Sequence, residues 1–247
     1  MSANGLVIDV HQHVGPWPFP GRWGGIEENL RLMDARGIDV AIISSARAVV
    51  QEMTRGNAEL AVDLERDERL YGYVTLNPTM IEACRAEIAA YADNRRFIGF
   101  KVHTVYSGCA MHDPRLARLV AILEQEAKPL LIHTWGSVAV AALQGLAADH
   151  PHLPIIVAHA GGDAWREAIA ASKACPNLYL DFACSAPYAG AVELALGELG
   201  PERIVFGTDA TLFDPLYMRA LFDAVPDLDP DARGLIMGGN AARLFRL

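Results

Sequence analysis

Short apolar segments alternate with amphipathic segments along almost the whole chain, and this alternation restricts the fold more than any other feature of the sequence. Each apolar segment has the length of a buried strand. These segments comprise residues 6–10, 40–44, 71–76, 98–102, 130–133, 155–159, 178–182 and 204–207. The segments between them carry apolar residues at helical spacing, for example Leu116, Leu119, Val120 and Leu123. Strands that alternate with helices pair in parallel, so the sequence predicts an α/β protein.

Eight strand–helix units within 247 residues match the size of a closed (β/α)8 TIM barrel. Barrels of this size form one unit, and we expect a single domain over residues 1–247. The alternative is an open, doubly wound sheet. The fingerprint GxGxxG that follows the first strand of a dinucleotide-binding sheet is absent here.

The charge and the cysteines restrict the partners and the compartment. The chain carries a net charge of −9 without a cluster of lysines and arginines, which argues against a nucleic-acid partner. No apolar segment reaches the length of a membrane span, and residues 1–7 lack the features of a signal peptide. The cysteines are scattered without CxxC spacing, as is typical of reduced thiols: Cys84, Cys109, Cys175 and Cys184. We therefore expect a cytoplasmic protein without a membrane partner.

Alternate residues of a barrel strand face either the barrel interior or the helices. For the first strand, this rule places Leu6, Ile8 and Val10 outward and Val7, Asp9, His11 and His13 inward. For the fourth, it places Ile98, Phe100 and Val102 outward and Gly99, Lys101 and His103 inward. For the sixth, it places Ile156 and Ala158 outward and Ile155, Val157 and His159 inward.

Six predicted strands carry ionisable residues on the inward face, near their carboxyl ends, where barrel enzymes assemble their sites. These residues are His11, His13, Lys101, His103, His133, His159, Asp181 and Asp209. Burying so many polar groups is costly unless they pair or bind a metal. Histidine and carboxylate are good ligands for divalent metals, and histidines at i and i+2 share one face of a strand. The alternative is a set of groups that only bind one another.

These motifs together resemble the amidohydrolase superfamily, and in particular its branch that includes aminocarboxymuconate-semialdehyde decarboxylase. The matching segments are residues 8–13, 99–103, 131–134, 157–162, 206–209 and 239–245. Each segment is weak evidence alone, but their order and their placement at strand ends are specific. The resemblance implies a metal-dependent TIM-barrel enzyme.

The resemblance also implies individual roles. His11, His13, His133 and Asp209 correspond to the metal ligands, and Asp209 also handles a proton of the catalytic water. His159 corresponds to the catalytic general acid/base. Lys101 stands where some members carry a carbamylated lysine that bridges two metals, but we favour an unmodified lysine and one metal. Zinc is the expected ion, with manganese and iron as alternatives.

The remaining predicted site residues concern the substrate. Lys101 and Arg47 are candidates to neutralise an acidic substrate, and His103 is a candidate contact. Trp135 is expected to line an apolar pocket together with Trp17, Trp23 and Tyr106. For Asp181, orienting a ligand histidine and pairing with Lys101 both stay open.

Three functions follow from this site. The first is hydrolysis of a small carboxylate, lactone, ester or amide by a metal-activated water. The second is non-oxidative decarboxylation with the same residues. The third is a barrel that binds metal without catalysis. In each enzymatic case the partner is a small-molecule substrate, and assembly into a homodimer stays open.

Overall fold

Eight parallel strands form the centre of the protein, and the computed structural model describes residues 5–20, 23–186 and 188–247. The strands pair in chain order. They are β1 (Ile8–Val14), β2 (Val40–Ser45), β3 (Leu70–Leu76), β4 (Phe97–Val102), β5 (Leu130–His133), β6 (Ile155–Ala158), β7 (Leu178–Asp181) and β8 (Ile204–Val205). Val10 N donates to Phe206 O at 2.9 Å and Asp209 N to His11 O at 2.7 Å, which joins the last strand to the first. The predicted (β/α)8 barrel is confirmed, and the open sheet is excluded.

Helices connect the strands and surround the barrel. They are α1 (Ile26–Arg36), α2 (Ala46–Val50), α3 (Met53–Asp63), α4 (Ile81–Ala90), α5 (Pro114–Leu123), α6 (Ser137–Asp149), α7 (Trp165–Ala174), α8 (Ala191–Leu199), α9 (Pro215–Asp223), α10 (Pro230–Gly234) and α11 (Asn240–Phe245). Local sequence sets several ends: the Asp113 side chain accepts from Arg115 N at the start of α5, and Gly37 ends α1 with φ 61°. Within the described residues, no helix combines the length and the apolar character needed to cross a membrane.

The core has two layers, because alternate strand residues face opposite sides of the barrel. The outer core lies between strands and helices and includes Leu130, Ile132 and the apolar face of α5. The inner core fills the barrel and includes Ile42, Tyr73, Leu131, Ile156 and Val205. Helix α11 closes the amino-terminal end of the barrel, where the Phe245 and Tyr73 ring centroids lie 6.0 Å apart. The carboxyl ends of the strands stay open.

Strand β1 changes face in its middle. Ile8 and Val10 belong to the inner core, and Val7 packs against the outer one. Asp9 lies opposite Ala41 and Gln12 opposite Ile43, so β1 has one residue more than β2 over this interval. Such a bulge shifts the alternation by one residue.

The alternation predicted for β1 is therefore wrong before the bulge and correct after it. Ile8 and Val10 face the barrel interior rather than the helices, and Val7 faces the helices rather than the interior. Asp9 binds Gln12 and Thr208 instead of reaching the site. His11 and His13 face the interior as predicted, since both line the cavity at its open end.

The faces predicted for β6, and for Ile98 in β4, are also wrong. Ile156 and Ala158 lie in the inner core, whereas Ile155 and Val157 lie in the outer one. His159 nevertheless reaches the cavity, because the chain leaves the strand there in a left-handed conformation with φ 61°. Ile98 packs against the inner core beside a register shift between β3 and β4.

The first prediction concerns the closure of the barrel by α11. Replacement of Phe245 by Ala should lower the free energy of unfolding by about 3 kcal/mol, because it leaves a cavity against Tyr73. Urea denaturation measures this change. Leu247→Ala, at an exposed position two residues further on, serves as the control and should leave the unfolding free energy nearly unchanged. Equal losses in both variants would show that α11 does not seal the core.

Candidate metal and catalytic site

A cavity of about 350 Å³ lies at the carboxyl ends of the strands. Its floor is polar and its wall is aromatic. The floor consists of His11, His13, Lys101, His103, His133, His159 and Asp209. The wall includes Trp17, Phe19, Trp23, Tyr106, Trp135 and Phe213. Every residue predicted for the site lines this cavity except Arg47 and Asp181.

His11, His13 and Asp209 form a compact group of donors at the floor. Asp209 Oδ1 lies 3.1 Å from His13 Nε2 and 3.7 Å from His11 Nε2. The two histidines project from the end of β1, and Asp209 follows β8 with a left-handed φ of 60°. Ligand atoms at these separations can share one metal ion.

The other ring nitrogen of each histidine, Nδ1, contacts a second polar side chain. His11 Nδ1 lies 3.0 Å from Asp181 Oδ2, and His13 Nδ1 lies 2.8 Å from Ser44 Oγ. These contacts orient the rings so that both Nε2 atoms face Asp209. Of the two roles considered for Asp181, the structure shows the contact with a candidate ligand histidine. Ser44 was missed, although its hydroxyl stands at the end of a predicted strand.

Burial sets the charge of these groups. It lowers the pKa of His11 and of His13 below the ordinary histidine value, so both rings are neutral near pH 7. Burial alone would raise the pKa of Asp209, but the hydrogen bond with His13 and the nearby charges outweigh it and hold that pKa well below its usual range. Neutral imidazoles and an ionised carboxylate are the forms that bind a divalent metal. The donor set therefore fits such an ion.

His133 and His159 form a second pair beside this group. His133 Nδ1 lies 3.0 Å from His159 Nε2. His159 Nδ1 donates to the Ala183 carbonyl, which leaves Nε2 of the neutral ring as the acceptor. His159 also belongs to a compact group with His11 and Asp181. The predicted ligand role of His133 and the predicted catalytic role of His159 stay predictions.

Lys101 lies at the centre of the floor. Its Nζ is 3.0 Å from His11 Nε2, and burial lowers its pKa to about 8. A neutral imidazole nitrogen has one lone pair, so His11 Nε2 cannot accept from Lys101 and bind a metal at the same time. Metal ligation by His11 thus requires the ammonium to find another acceptor.

Aromatic rings enclose the floor. Trp17 contacts His13 edge-on, with ring centroids 4.8 Å apart. The His103 ring stacks on His133 at 3.9 Å, and its Nδ1 accepts a hydrogen bond from Tyr106 N. Trp135 lies at the rim, 39% exposed. These positions give a cavity suited to a planar, largely apolar molecule.

Arg47 lies outside this cavity, which corrects its prediction as a substrate contact there. Its Nε is 2.8 Å from Glu59 and its Nη1 is 3.0 Å from Glu52. The Arg47 side chain lines a separate surface depression beside Trp17. The carboxylates of Glu52 and Glu59 therefore already neutralise the Arg47 guanidinium, which was predicted to neutralise a substrate.

Comparison with known proteins agrees with the resemblance seen in the sequence. The sequence profile of the amidohydrolase family matches residues 8–247. A search of curated proteins by sequence gave no match.

Several solved structures share the fold. 2,6-Dihydroxybenzoate decarboxylase from Rhizobium is 20% identical, with a TM-score of 0.78 over 98% of both chains. 5-Carboxyvanillate decarboxylase from Sphingomonas paucimobilis is 18% identical, with a TM-score of 0.78 over 98% of this chain and 99% of that one. Dihydroxybenzoic acid decarboxylase from Polaromonas sp. JS666, with bound manganese and the inhibitor 2-nitroresorcinol, is 19% identical, with a TM-score of 0.78 over 98% and 97%. At these identities the likeness shows a common fold.

The second prediction concerns the donors at the floor. Protein reconstituted with Mn²⁺ or Zn²⁺ should retain about one ion per chain after desalting, and His11→Ala/His13→Ala should retain none, because it removes two of the three compact ligands. Elemental mass spectrometry measures the content. The matched control is His112→Ala/His152→Ala, which changes two exposed histidines. Equal metal content in both double variants would place the ion elsewhere.

Proposed function

This chain belongs to the amidohydrolase family of enzymes, and we propose that it is a divalent-metal-dependent decarboxylase acting on a small aromatic carboxylic acid. The sequence put hydrolysis first and decarboxylation second. The structural comparisons support the reverse order, since the similar proteins include decarboxylases of dihydroxybenzoate and carboxyvanillate.

The observation that carries the proposal is the distribution of charge in an aromatic cavity. Lys101 is the only lysine or arginine among the described residues that line it. Trp17, Tyr106 and Trp135 line the same cavity with aromatic rings. One cation beneath an aromatic wall matches one carboxylate on a planar ring.

The metal would be held by His11, His13 and Asp209, with His133 as the further ligand proposed from the family resemblance. Bound there, a divalent ion supplies Lewis-acid stabilisation of negative charge on oxygen. We favour manganese over the zinc expected from the sequence, because the similar decarboxylase from Polaromonas sp. JS666 binds manganese.

Lys101 binds the substrate in this proposal. Ligation of the metal by His11 removes the acceptor that the ammonium now contacts at 3.0 Å. A substrate carboxylate then takes that place through a charge-assisted hydrogen bond. Lys101 is fully buried and therefore holds the acid group in one position rather than attracting it from a distance.

His159 handles the proton. Loss of carbon dioxide leaves an electron pair on the ring carbon, and that carbon must be protonated. Because Nδ1 is fixed on the Ala183 carbonyl, Nε2 is the atom that takes up a proton from solvent before the acid binds and delivers it to the ring carbon as carbon dioxide leaves.

The third prediction is the direct test of activity. Mn²⁺-loaded protein, given a panel of hydroxylated benzoic acids, should release carbon dioxide in step with the loss of at least one acid. The same protein, given esters, lactones and amides of similar size, should release no product. Trapping of ¹⁴C-labelled carbon dioxide and chromatography measure the two reactions. Turnover of the second panel alone would reject decarboxylation in favour of hydrolysis.

The fourth prediction concerns Lys101. Replacement of Lys101 by Met should raise KM for the acid about 10- to 100-fold, because a charged hydrogen-bond donor is lost. Metal content should not fall, since the change frees His11 Nε2. The matched control is Lys128→Met, whose ammonium contacts the Ala92 carbonyl on the outside of the barrel. A fall in kcat at unchanged KM would exclude Lys101 as the carboxylate-binding group.

A further inference from the structure

We propose that Tyr73 is a positioning residue for the His11–His13 pair and acts through the bulge of β1. The inference rests on the metal site proposed above. Tyr73 lies on β3 in the inner core and is fully buried. Its hydroxyl donates to the Val10 carbonyl at 2.7 Å. Val10 stands within the bulge, immediately before His11.

On its other edge, towards the chain that follows β8, the bulged segment of β1 lacks one regular sheet hydrogen bond. In regular parallel pairing, a residue that donates to one carbonyl of the neighbouring strand accepts from the N–H two residues further along. Val10 N donates to Phe206 O at 2.9 Å, so the regular donor to the Val10 carbonyl is Thr208 N. Thr208 N instead donates to Asp9 Oδ1 at 3.1 Å. The Tyr73 hydroxyl supplies the donor that the sheet has lost.

Side chains thus hold the bulge from both sides of β1. From within the barrel, the Tyr73 hydroxyl binds the Val10 carbonyl. From the other side, the Asp9 carboxylate accepts from His11 N at 3.1 Å and from Thr208 Oγ1 at 2.5 Å. The backbone that sets the direction of the His11 ring lies between these contacts. Loss of the hydroxyl would leave a buried carbonyl without its donor and free the bulge to shift.

The space around Tyr73 is specific for its ring. A Cβ at Gly99 would lie 2.7 Å from two carbons of that ring, so only glycine on β4 leaves room for it. On the opposite side the ring packs against Phe245. These contacts direct the hydroxyl to β1. If Tyr73 only filled the core, its ring would matter and its hydroxyl would not.

Tyr73→Phe separates these roles, because it removes the hydroxyl and keeps the ring. We expect Kd for Mn²⁺, measured by isothermal titration calorimetry, to rise about tenfold or more, as for other groups that orient metal ligands. The visible spectrum of the Co²⁺-loaded protein, which reports ligand geometry, should also shift. Tyr179→Phe is the matched control: Tyr179 also contacts the inner core, but its ring packs against Arg203.

An unchanged Kd and an unchanged Co²⁺ spectrum in Tyr73→Phe would overturn the inference, as would equal effects in Tyr179→Phe. If Tyr73→Phe does not fold, Asp9→Asn tests the other side of the bulge with the same two measurements and the same expected changes. Wild-type protein that binds Mn²⁺ but decarboxylates no acid would reject the proposed reaction and leave this inference standing. Wild-type protein that binds no divalent metal would reject both.

Discussion

The change of face within β1 is the constraint on which the rest of the structure depends. The lower half of this strand must fill the barrel with Ile8 and Val10, and the upper half must present two histidines to the cavity. A regular strand with this sequence could do only one of these, because its side chains alternate strictly. One extra residue reconciles both needs. The consequence is a pair of displaced backbone groups, which Tyr73 and Asp9 satisfy with their side chains.

Departures from regular backbone recur after two further strands, where each delivers a candidate catalytic group to the cavity. His159 follows β6 with φ 61°, and Asp209 follows β8 with φ 60°. A left-handed conformation costs a non-glycine residue roughly 1–2 kcal/mol. Hydrogen bonds to the adjacent strand hold both residues: His159 N donates to Asp181 Oδ1, and Asp209 N donates to the His11 carbonyl. The backbone that aims each side chain is therefore tied to the strand that carries its neighbour.

This irregularity explains how far the sequence could predict the structure. The barrel followed from the alternation of strands and helices, because that pattern is repeated eight times and tolerates small errors. The group of residues that meets in the cavity followed from their positions at strand ends, and their roles stay predictions. The faces of β1 and β6 did not follow, since a bulge in one strand and a left-handed turn after the other leave no mark in a period-two pattern. Arg47 lies outside the cavity for another reason: Glu52 and Glu59, five and twelve residues further along the chain, pair with it.

The charges at the floor restrict the substrate more than the size of the cavity does. Both imidazoles of the pair are neutral, Asp209 is the carboxylate beside them, and Lys101 contributes the ammonium. Ligation of a metal by His11 and Asp209 would take the lone pair that Lys101 now uses and would occupy the nearest anion. A buried ammonium without an acceptor is costly. An ester or amide offers the Lys101 ammonium only a neutral oxygen, whereas a carboxylate forms an ion pair with it. Metal at this site would therefore favour an acid over an ester or amide in the cavity.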